Sequence, residues 1–355
     1  MIITKNILLI INDYHLNSIN KINLSIIRGT KEYHFFILAI NDFGICLEDF
    51  KKNDNVTLIA QQRKPIQKLK QAQKIIKNNK IKVIHTHNLK SEFFALFLKI
   101  MNPTLFVISN RHNHLFPIYS FKDLLKNYCY VINCHLTNLN VCVAKHLSKK
   151  IENKIKVKKS KIITIQNGLS SYQTCKKTKR PKELPKIIYF GQLIKRKNLK
   201  TLIKASGLLE KKVKILIIGQ GKAKNELQTL AKNKKNINFK SFTKHPEQYF
   251  KTGDIFVLPS RSEGLSLSLL ESIKHGLVPI VSNIEANREV IKNKKNGLLF
   301  QENNARDLAV KINLILNNKE LAQKMSRQAK LDLEKHFSTK KMLDSYFKLY
   351  AQTIN

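Results

Sequence analysis

Ile255-Phe256-Val257-Leu258-Pro259-Ser260-Arg261-Ser262-Glu263-Gly264-Leu265-Ser266-Leu267-Ser268-Leu269-Leu270-Glu271 joins a short apolar run, a polar turn and a longer apolar-periodic stretch. Short apolar runs bounded by turn residues read as buried strands, and longer stretches with apolar residues three and four apart read as helices. The segment therefore reads strand, turn, helix. The same pattern precedes it, with apolar runs at 7–11, 35–40, 56–60, 82–85, 105–109 and 162–165. Residues 66–76 and 91–100 are long and periodic enough to be the crossover helices that parallel strands require. The pattern restarts at 187–190, 214–218 and 237–239 and continues through 255–258, 279–282 and 298–300, which predicts a second sheet of about six strands. From residue 305 onward the chain reads as helical, and 339–353 puts Met342, Tyr346, Leu349 and Tyr350 on one face that needs a partner surface.

The chain has 355 residues, more than the roughly 250–300 that one hydrophobic core usually serves. Residues 170–185 lack apolar periodicity and carry Lys176, Lys177, Lys179, Arg180 and two prolines, which marks a linker. The predicted division is an N-terminal domain at 1–169, the linker at 170–185, a C-terminal domain at 186–336, and a final helix at 337–355 packing back on the first domain. The fold class is α/β, with two doubly wound, Rossmann-like parallel-sheet domains facing each other across a cleft.

Lys and Arg total 65 against 24 Asp and Glu, a formal charge of +41, and only nine of the cations are Arg. Such a field attracts polyanions, whereas the abundance of Lys, Asn and Ile is also what an AT-rich genome produces. The lysines are spread along the chain rather than gathered in one arm, so no nucleic-acid partner is expected. An anionic membrane surface suits the charge better. Nowhere do 18 apolar residues run together, so membrane contact would be peripheral. The run at 7–11 is too short for a signal segment and reads as a first buried strand. Cys46, Cys129, Cys134, Cys142 and Cys175 form no paired spacing, which fits a reducing cytoplasm.

Ligands of open parallel sheets sit beyond the carboxyl ends of strands, where helix N-termini offer free N–H groups to phosphates. The loop Gly191-Gln192-Leu193-Ile194-Lys195-Arg196-Lys197-Asn198 leaves a strand through glycine and gathers three cations at a helix start, as a diphosphate site or as a solvated patch. Gly219-Gln220-Gly221 follows the next strand, and its glycines serve either a ligand's close approach or the turn itself. Glu263 and Glu271 stand eight positions apart across the strand-to-helix turn, the second about two helical turns in. Glu263 is placed to accept from a sugar hydroxyl, N–H groups around Gly264, Leu265 and Ser266 to face a phosphate, and Glu271 to grip a ribose. The pair His85 and His87 shares one strand face, as a metal site does, but no Asp-x-Asp accompanies it, and no metal is expected. His112 lies at a further strand end, within 109–114.

The Glu263 to Glu271 spacing resembles the E-x7-E motif of the large family 4 of retaining glycosyltransferases, also described as glycosyl transferases group 1. Gly276, Pro279 and Asn296-Gly297 fall where that family has its following signatures. Gly191 to Lys197 resembles its Gly-Arg-Leu-x3-Lys element, with Gln192 in place of the arginine. That change removes a forked phosphate ligand unless Arg196 substitutes for it. The resemblance covers residues 160 to 335 and is looser before them, where Asn12-Asp13-Tyr14-His15 replaces an expected glycine-rich loop. It implies the two-domain GT-B fold with a C-terminal crossover helix. It also implies a diphosphate contact for Lys197, sugar-hydroxyl contacts for Glu263, ribose contacts for Glu271, an active-site role for His112, and a first domain closing at Asn167-Gly168.

The function so implied is metal-independent, retaining transfer of a hexosyl or related group from a nucleotide diphosphate-sugar, with no cofactor. The acceptor would be a hydroxyl of a lipid-linked or other surface glycan, lipopolysaccharide or capsule, at the inner face of the cytoplasmic membrane. Two alternatives are a non-catalytic, degenerate transferase that binds polyanions or lipid, and a nucleotide-sugar epimerase, which also pairs α/β domains.

Overall fold

The structure, a computed structural model, describes residues 5–15, 17–41, 43–59, 64–112, 121–169 and 184–354. The chain divides into two compact units, one of Met1–Asn167 with Lys340–Asn355 and one of Gly168–Thr339. The linker expected at 170–185 lies outside the described residues up to 183. Residues 168–169 are tied to 337–339 within the second unit. Leu169 donates to the Phe337 carbonyl at 2.8 Å and accepts from the Thr339 amide at 3.2 Å.

The first unit holds a parallel sheet of β1 (Lys5–Ile11), β2 (Tyr33–Ala39), β3 (Val56–Leu58), β4 (Val83–Thr86), β5 (Phe106–Arg111), β6 (Leu139–Cys142) and β7 (Ile162–Thr164) in the order β3-β2-β1-β4-β5-β6-β7. Ile7 to Ile11 are all buried, because both faces of the central strand are covered, and so β1 reads as a continuous apolar run rather than an alternating one. On one face Leu8, Ile10, Phe36, Leu38, Ile84 and Val107 pack with Ala72 and Ile76 of the helix Pro65–Asn78 and Ala95 and Leu98 of the helix Leu89–Met101. Side chains alternate along a strand, so Tyr33, Phe35 and His85 point the other way. There they meet the rings of Tyr346 and Tyr350 from the helix Thr339–Ile354. That helix buries the four residues of its apolar face, Met342, Tyr346, Leu349 and Tyr350, against the first unit.

β6 is the one strand absent from the pattern of apolar runs. It has four residues, and Asn140 interrupts its hydrophobicity. The Asn140 amide is buried because partners satisfy it: Nδ2 donates to the Cys134 carbonyl at 2.9 Å and to the Lys161 carbonyl at 3.2 Å. Tertiary hydrogen bonds offset the cost of burying that amide.

The second unit holds β8 (Lys186–Phe190), β9 (Lys214–Ile218), β10 (Ile237–Lys240), β11 (Ile255–Leu258), β12 (Val278–Ser282) and β13 (Leu298–Phe300), all parallel, in the order β10-β9-β8-β11-β12-β13. Both units are therefore doubly wound, each chain path starting at a central strand and proceeding to one edge before crossing to the other. No helix among the described residues is long and apolar enough to cross a membrane. Cys46, Cys129, Cys134 and Cys142 are free thiols, and Cys175 lies outside the described residues.

Candidate active site

β8 leads to β9 on one side of it, and β11, its other neighbour, leads to β12 on the opposite side. The loops that leave β8 and β11 diverge at this topological switch point, the position where open α/β sheets open a crevice for ligands. Glu263 in the loop after β11 ties the two loops together. Its Oε1 stands 2.5 Å from the Lys197 Nζ and its Oε2 3.3 Å from the Arg196 guanidinium, both from the loop after β8. Arg196 also donates to the Ser262 carbonyl, and its own carbonyl accepts from the Arg261 amide at 2.9 Å.

Lys197 reaches Glu263 because the chain turns sharply there. Lys195–Lys197 is one 3-10 turn, and Asn198 follows in the left-handed conformation with φ 51° and ψ 40°. Asparagine tolerates that conformation better than most residues, and its amide donates to the Asn303 Oδ1 at 3.0 Å. Burial pushes the Glu263 carboxyl up, but Lys197, Arg196 and the hydrogen bond from Lys197 outweigh it and hold the group below its usual range. Two cations around one carboxylate leave a net positive charge. The Arg196 side chain, 30% exposed, is the more accessible of the two.

Gln192 is exposed, and its carbonyl accepts from the buried Tyr189 hydroxyl at 2.8 Å. Gly191, Gly219 and Gly221 all have positive φ. A Cβ on Gly219 would stand 1.9 Å from the Gly191 carbonyl oxygen, and one on Gly221 2.4 Å from that of Leu193. The close approach that these glycines permit is therefore between two loop backbones. The Leu193 amide donates to the Gln220 carbonyl at 2.8 Å, which locks the loops after β8 and β9 together.

Ser266 caps the helix Leu267–Lys274, its hydroxyl accepting from the Leu269 amide at 3.4 Å. Gly264 and Leu265 are buried in the turn before it. Because the helix begins only at Leu267, Glu271 sits at its fifth residue, about one turn inside rather than two. Glu263 lies before the helix and is held by cations, a setting that differs from a carboxylate left open at the helix start. Gly276 has φ 78° and lies between that helix and β12, and Asn296 donates to Asp332 at 2.7 Å, so both serve local packing.

In the first unit His112 follows β5 and His87 follows β4, its neighbour in the sheet. The sequence distinguishes the two as candidates, whereas the structure makes them one unit. His87 Nδ1 and His112 Nε2 are 3.1 Å apart, the two rings meeting edge to edge with centroids 5.4 Å apart, and the His85 ring centroid lies 4.5 Å from that of His87. Burial lowers all three imidazoles, His85 to about 4 and His112 to about 3, and neighbouring imidazoles lower His87 and His112 further. All three are therefore neutral at pH 7. His114 lies outside the described residues, and among the described residues no cluster of three or more His, Cys, Asp or Glu is arranged to hold a metal ion.

Sequence reasoning misses the group that anchors this strand end. Arg111, buried beside His112, is bound by Glu92 at 2.7 Å, Asn140 at 2.7 Å and Thr137 at 3.2 Å, with its guanidinium over the Tyr130 ring. The available signal was the one acidic residue of the segment 89–101, Glu92, and the one charge of the segment 106–111, Arg111 at its end.

Residues 173–332 match the family model described as glycosyl transferases group 1. An uncharacterised glycosyltransferase of Haemophilus influenzae is 28% identical over 54% of this chain and 55% of its own length. The chain thus spans about half the length of curated relatives of this kind. A UDP-Gal:alpha-D-GlcNAc-diphosphoundecaprenol alpha-1,3-galactosyltransferase of Escherichia coli is 24% identical over 84% of this chain and 82% of its own. The HepE protein of Anabaena, solved in complex with UDP-glucose, superposes with a TM-score of 0.84 at 13% identity, covering 98% of this chain and 99% of that one. At that identity the likeness concerns the fold.

Proposed function

Because the chain belongs, through residues 173–332, to glycosyl transferases group 1, we propose that it transfers a sugar, with retention of configuration, from a nucleoside diphosphate donor to a hydroxyl of a surface-glycan precursor. The carrying observation is the Arg196/Lys197–Glu263 cluster at the switch point of the second sheet. Departure of the nucleoside diphosphate develops negative charge, and preorganised cations and helix N–H groups stabilise it without a metal. Arg196 and Lys197 supply the cations, and the residues from Gly264 to Ser266 lead into the helix N-terminus. Arg196 takes the place of the family arginine that Gln192 lacks. In the second unit Glu263 serves the transferred sugar and Glu271 the ribose, and in the first unit His112 serves as a sugar-hydroxyl contact. Gly191 and Gly219 serve donor binding through the loop contact they permit, which holds the loop bearing Arg196 and Lys197 in place.

The Escherichia coli relative is named for a UDP-sugar donor and a diphosphoundecaprenol acceptor, and HepE was solved with UDP-glucose. Both support a UDP-sugar donor here, and the first also supports a lipid-linked acceptor. A net charge of +41 supports peripheral association with an anionic membrane at the cytoplasmic face.

The test is thermal stabilisation and turnover of the full chain with UDP-, GDP- and ADP-sugars, alongside Glu271→Ala. One donor should stabilise the protein, and Glu271→Ala should abolish that shift. The same charge also favours a second reading, a polyanion-binding protein without transferase activity. Stabilisation by polyanions alone, steeply salt-dependent and with no response to any donor, would replace the proposal with that reading.

A further inference from the structure

We propose that the outer side of the helix layer Pro65–Asn78, Leu89–Met101 and Phe121–Leu136 is the surface by which the protein docks on an anionic bilayer. Apolar side chains of the last two helices enter the lipid, and lysines of the first lie on the headgroups. The inference rests on the reading that the chain serves a lipid-linked acceptor at a membrane, and it adds the face that meets the lipid.

The three helices cover one face of the first sheet side by side. Ala72, Ile76, Ala95 and Leu98 fix the first two on the face that carries Val107. Arg111, four residues along the same strand, points to that face as well. It is bound by Glu92 of the second helix, and its guanidinium lies 5.1 Å from the Tyr130 ring of the third. Gln73 Nε2, 3.4 Å from the Met101 sulfur, joins the first helix to the second. A surface helix ordinarily turns charged and polar residues away from the core. The helix Phe121–Leu136 buries Asn127, Tyr130, Asn133 and Cys134 and turns Phe121, Leu124, Leu125 and Tyr128 outward, at spacings of three, four and seven. Beside it Phe97 and Ile100 also face out. Phe121 is 81% exposed and Ile100 74%. A contiguous apolar face of this kind marks an interaction surface.

The charges around it favour anionic lipid over a second copy of this chain. Lys70, Lys74 and Lys77 are exposed along one side of the helix Pro65–Asn78, which contains no acidic residue. Lys90 of the next helix is exposed too. Both carboxylates of the layer are matched by cations, Glu92 by Arg111 at 2.7 Å and Asp123 by Lys126 at 3.0 Å. Two copies meeting through this face would gather uncompensated lysines, whereas anionic headgroups neutralise them. Apolar side chains bordered by lysine are the pattern of an interfacial membrane contact. Each helix returns from the carboxyl end of the parallel sheet, so Phe121 stands at the end of the unit where His87 and His112 lie. Docking there keeps a lipid-linked acceptor and these histidines at one end of the unit.

The experiment measures binding of the full chain to vesicles of phosphatidylglycerol and phosphatidylcholine, with no donor or acceptor present. The sequence contains no tryptophan, so Tyr128→Trp introduces one indole into a silent background. On binding, its emission should shift to the blue and be quenched by brominated acyl chains, whereas Leu331→Trp, at an exposed site of the second unit, should show neither. The double variant Phe121→Ser/Leu125→Asn, if it unfolds cooperatively, should lower the partition coefficient at least about tenfold. Added salt should weaken binding without abolishing it, because only the charge component is screened. Failure of the wild-type protein to bind these vesicles overturns the proposal. Binding with an unshifted indole at position 128, or with an unaffected folded double variant, overturns it as well. So does a wild-type dimer that the double variant dissociates while vesicle binding persists. Should the double variant not fold, the indole decides. Because every readout omits the donor, docking without any turnover counts against the proposed transfer alone, and turnover without docking counts against this inference alone.

Discussion

At the scale of single residues, the cluster around Glu263 makes the sharpest claims. Lys197→Ala takes the nearer of two cations from a buried carboxylate and leaves the Arg196 guanidinium at 3.3 Å. Removing one partner of a buried pair costs roughly 3–5 kcal/mol, and the remaining guanidinium should keep the loss at or below that range. Denaturant unfolding of Lys197→Ala should show it, together with weakened donor binding, whereas exposed Lys195→Ala should stay within about 0.5 kcal/mol of wild type. Because Glu263 is held below its usual range when folded, its contribution is complete above the unfolded carboxyl value and is lost as pH falls through the folded one. The histidines act at higher pH. His85 and His112 are lowered to about 4 and about 3, so the unfolded chain takes up protons below about 6.5 while the folded chain does not. Stability of the first unit should therefore decline as pH drops from about 6.5 toward 4, by a few kcal/mol in all. Urea midpoints across that interval would measure the decline, and a flat profile would contradict burial of the neutral rings.

At the scale of elements, the loops after β8 and β9 act together because glycines let their backbones touch. Gly219→Ala would drive a Cβ to 1.9 Å from the Gly191 oxygen at a φ of +155°. The strain should cost at least about 1–3 kcal/mol and push the loop after β9 away from the loop after β8, which carries Arg196 and Lys197. Both the melting temperature and donor affinity should fall. Gly207→Ala is the control, since its Cβ would meet only the mobile end of Lys234. Equal behaviour of the two variants would show that the loop contact does not matter.

At the scale of the whole molecule, the first unit is completed by the last residues of the chain. Met342, Tyr346, Leu349 and Tyr350 are buried against it. At roughly 1.5–3 kcal/mol for each large apolar side chain buried, the helix contributes about 6–12 kcal/mol as an upper value. That is comparable to the roughly 5–15 kcal/mol that holds a typical domain together. A chain ending at Thr339 should thus lose the unfolding transition of its first unit and keep that of Gly168–Thr339. Calorimetry would distinguish this from a helix that merely decorates the surface, whose removal would leave both transitions in place.

The strands of both sheets, the apolar face of the final helix and the loops worth inspecting were legible in the sequence, because buried parallel strands and amphipathic helices impose local periodicity on the chain. β6 was not, since its central Asn140 is tolerated only where Cys134 and Lys161 present their carbonyls. The spacing of Glu263 and Glu271 singled out a site, but only the fold brought Lys197 and Arg196, more than sixty residues away, onto the same carboxylate. The sequence presented His87 in a pair with His85 and His112 at a separate strand end. The adjacency of β4 and β5 turned His87 and His112 into one hydrogen-bonded pair, joined through Asn110 to Tyr346. Periodicity is a property of neighbours along the chain, whereas charge pairing and histidine pairing depend on neighbours in space, which the strand order and the path of the last helix decide.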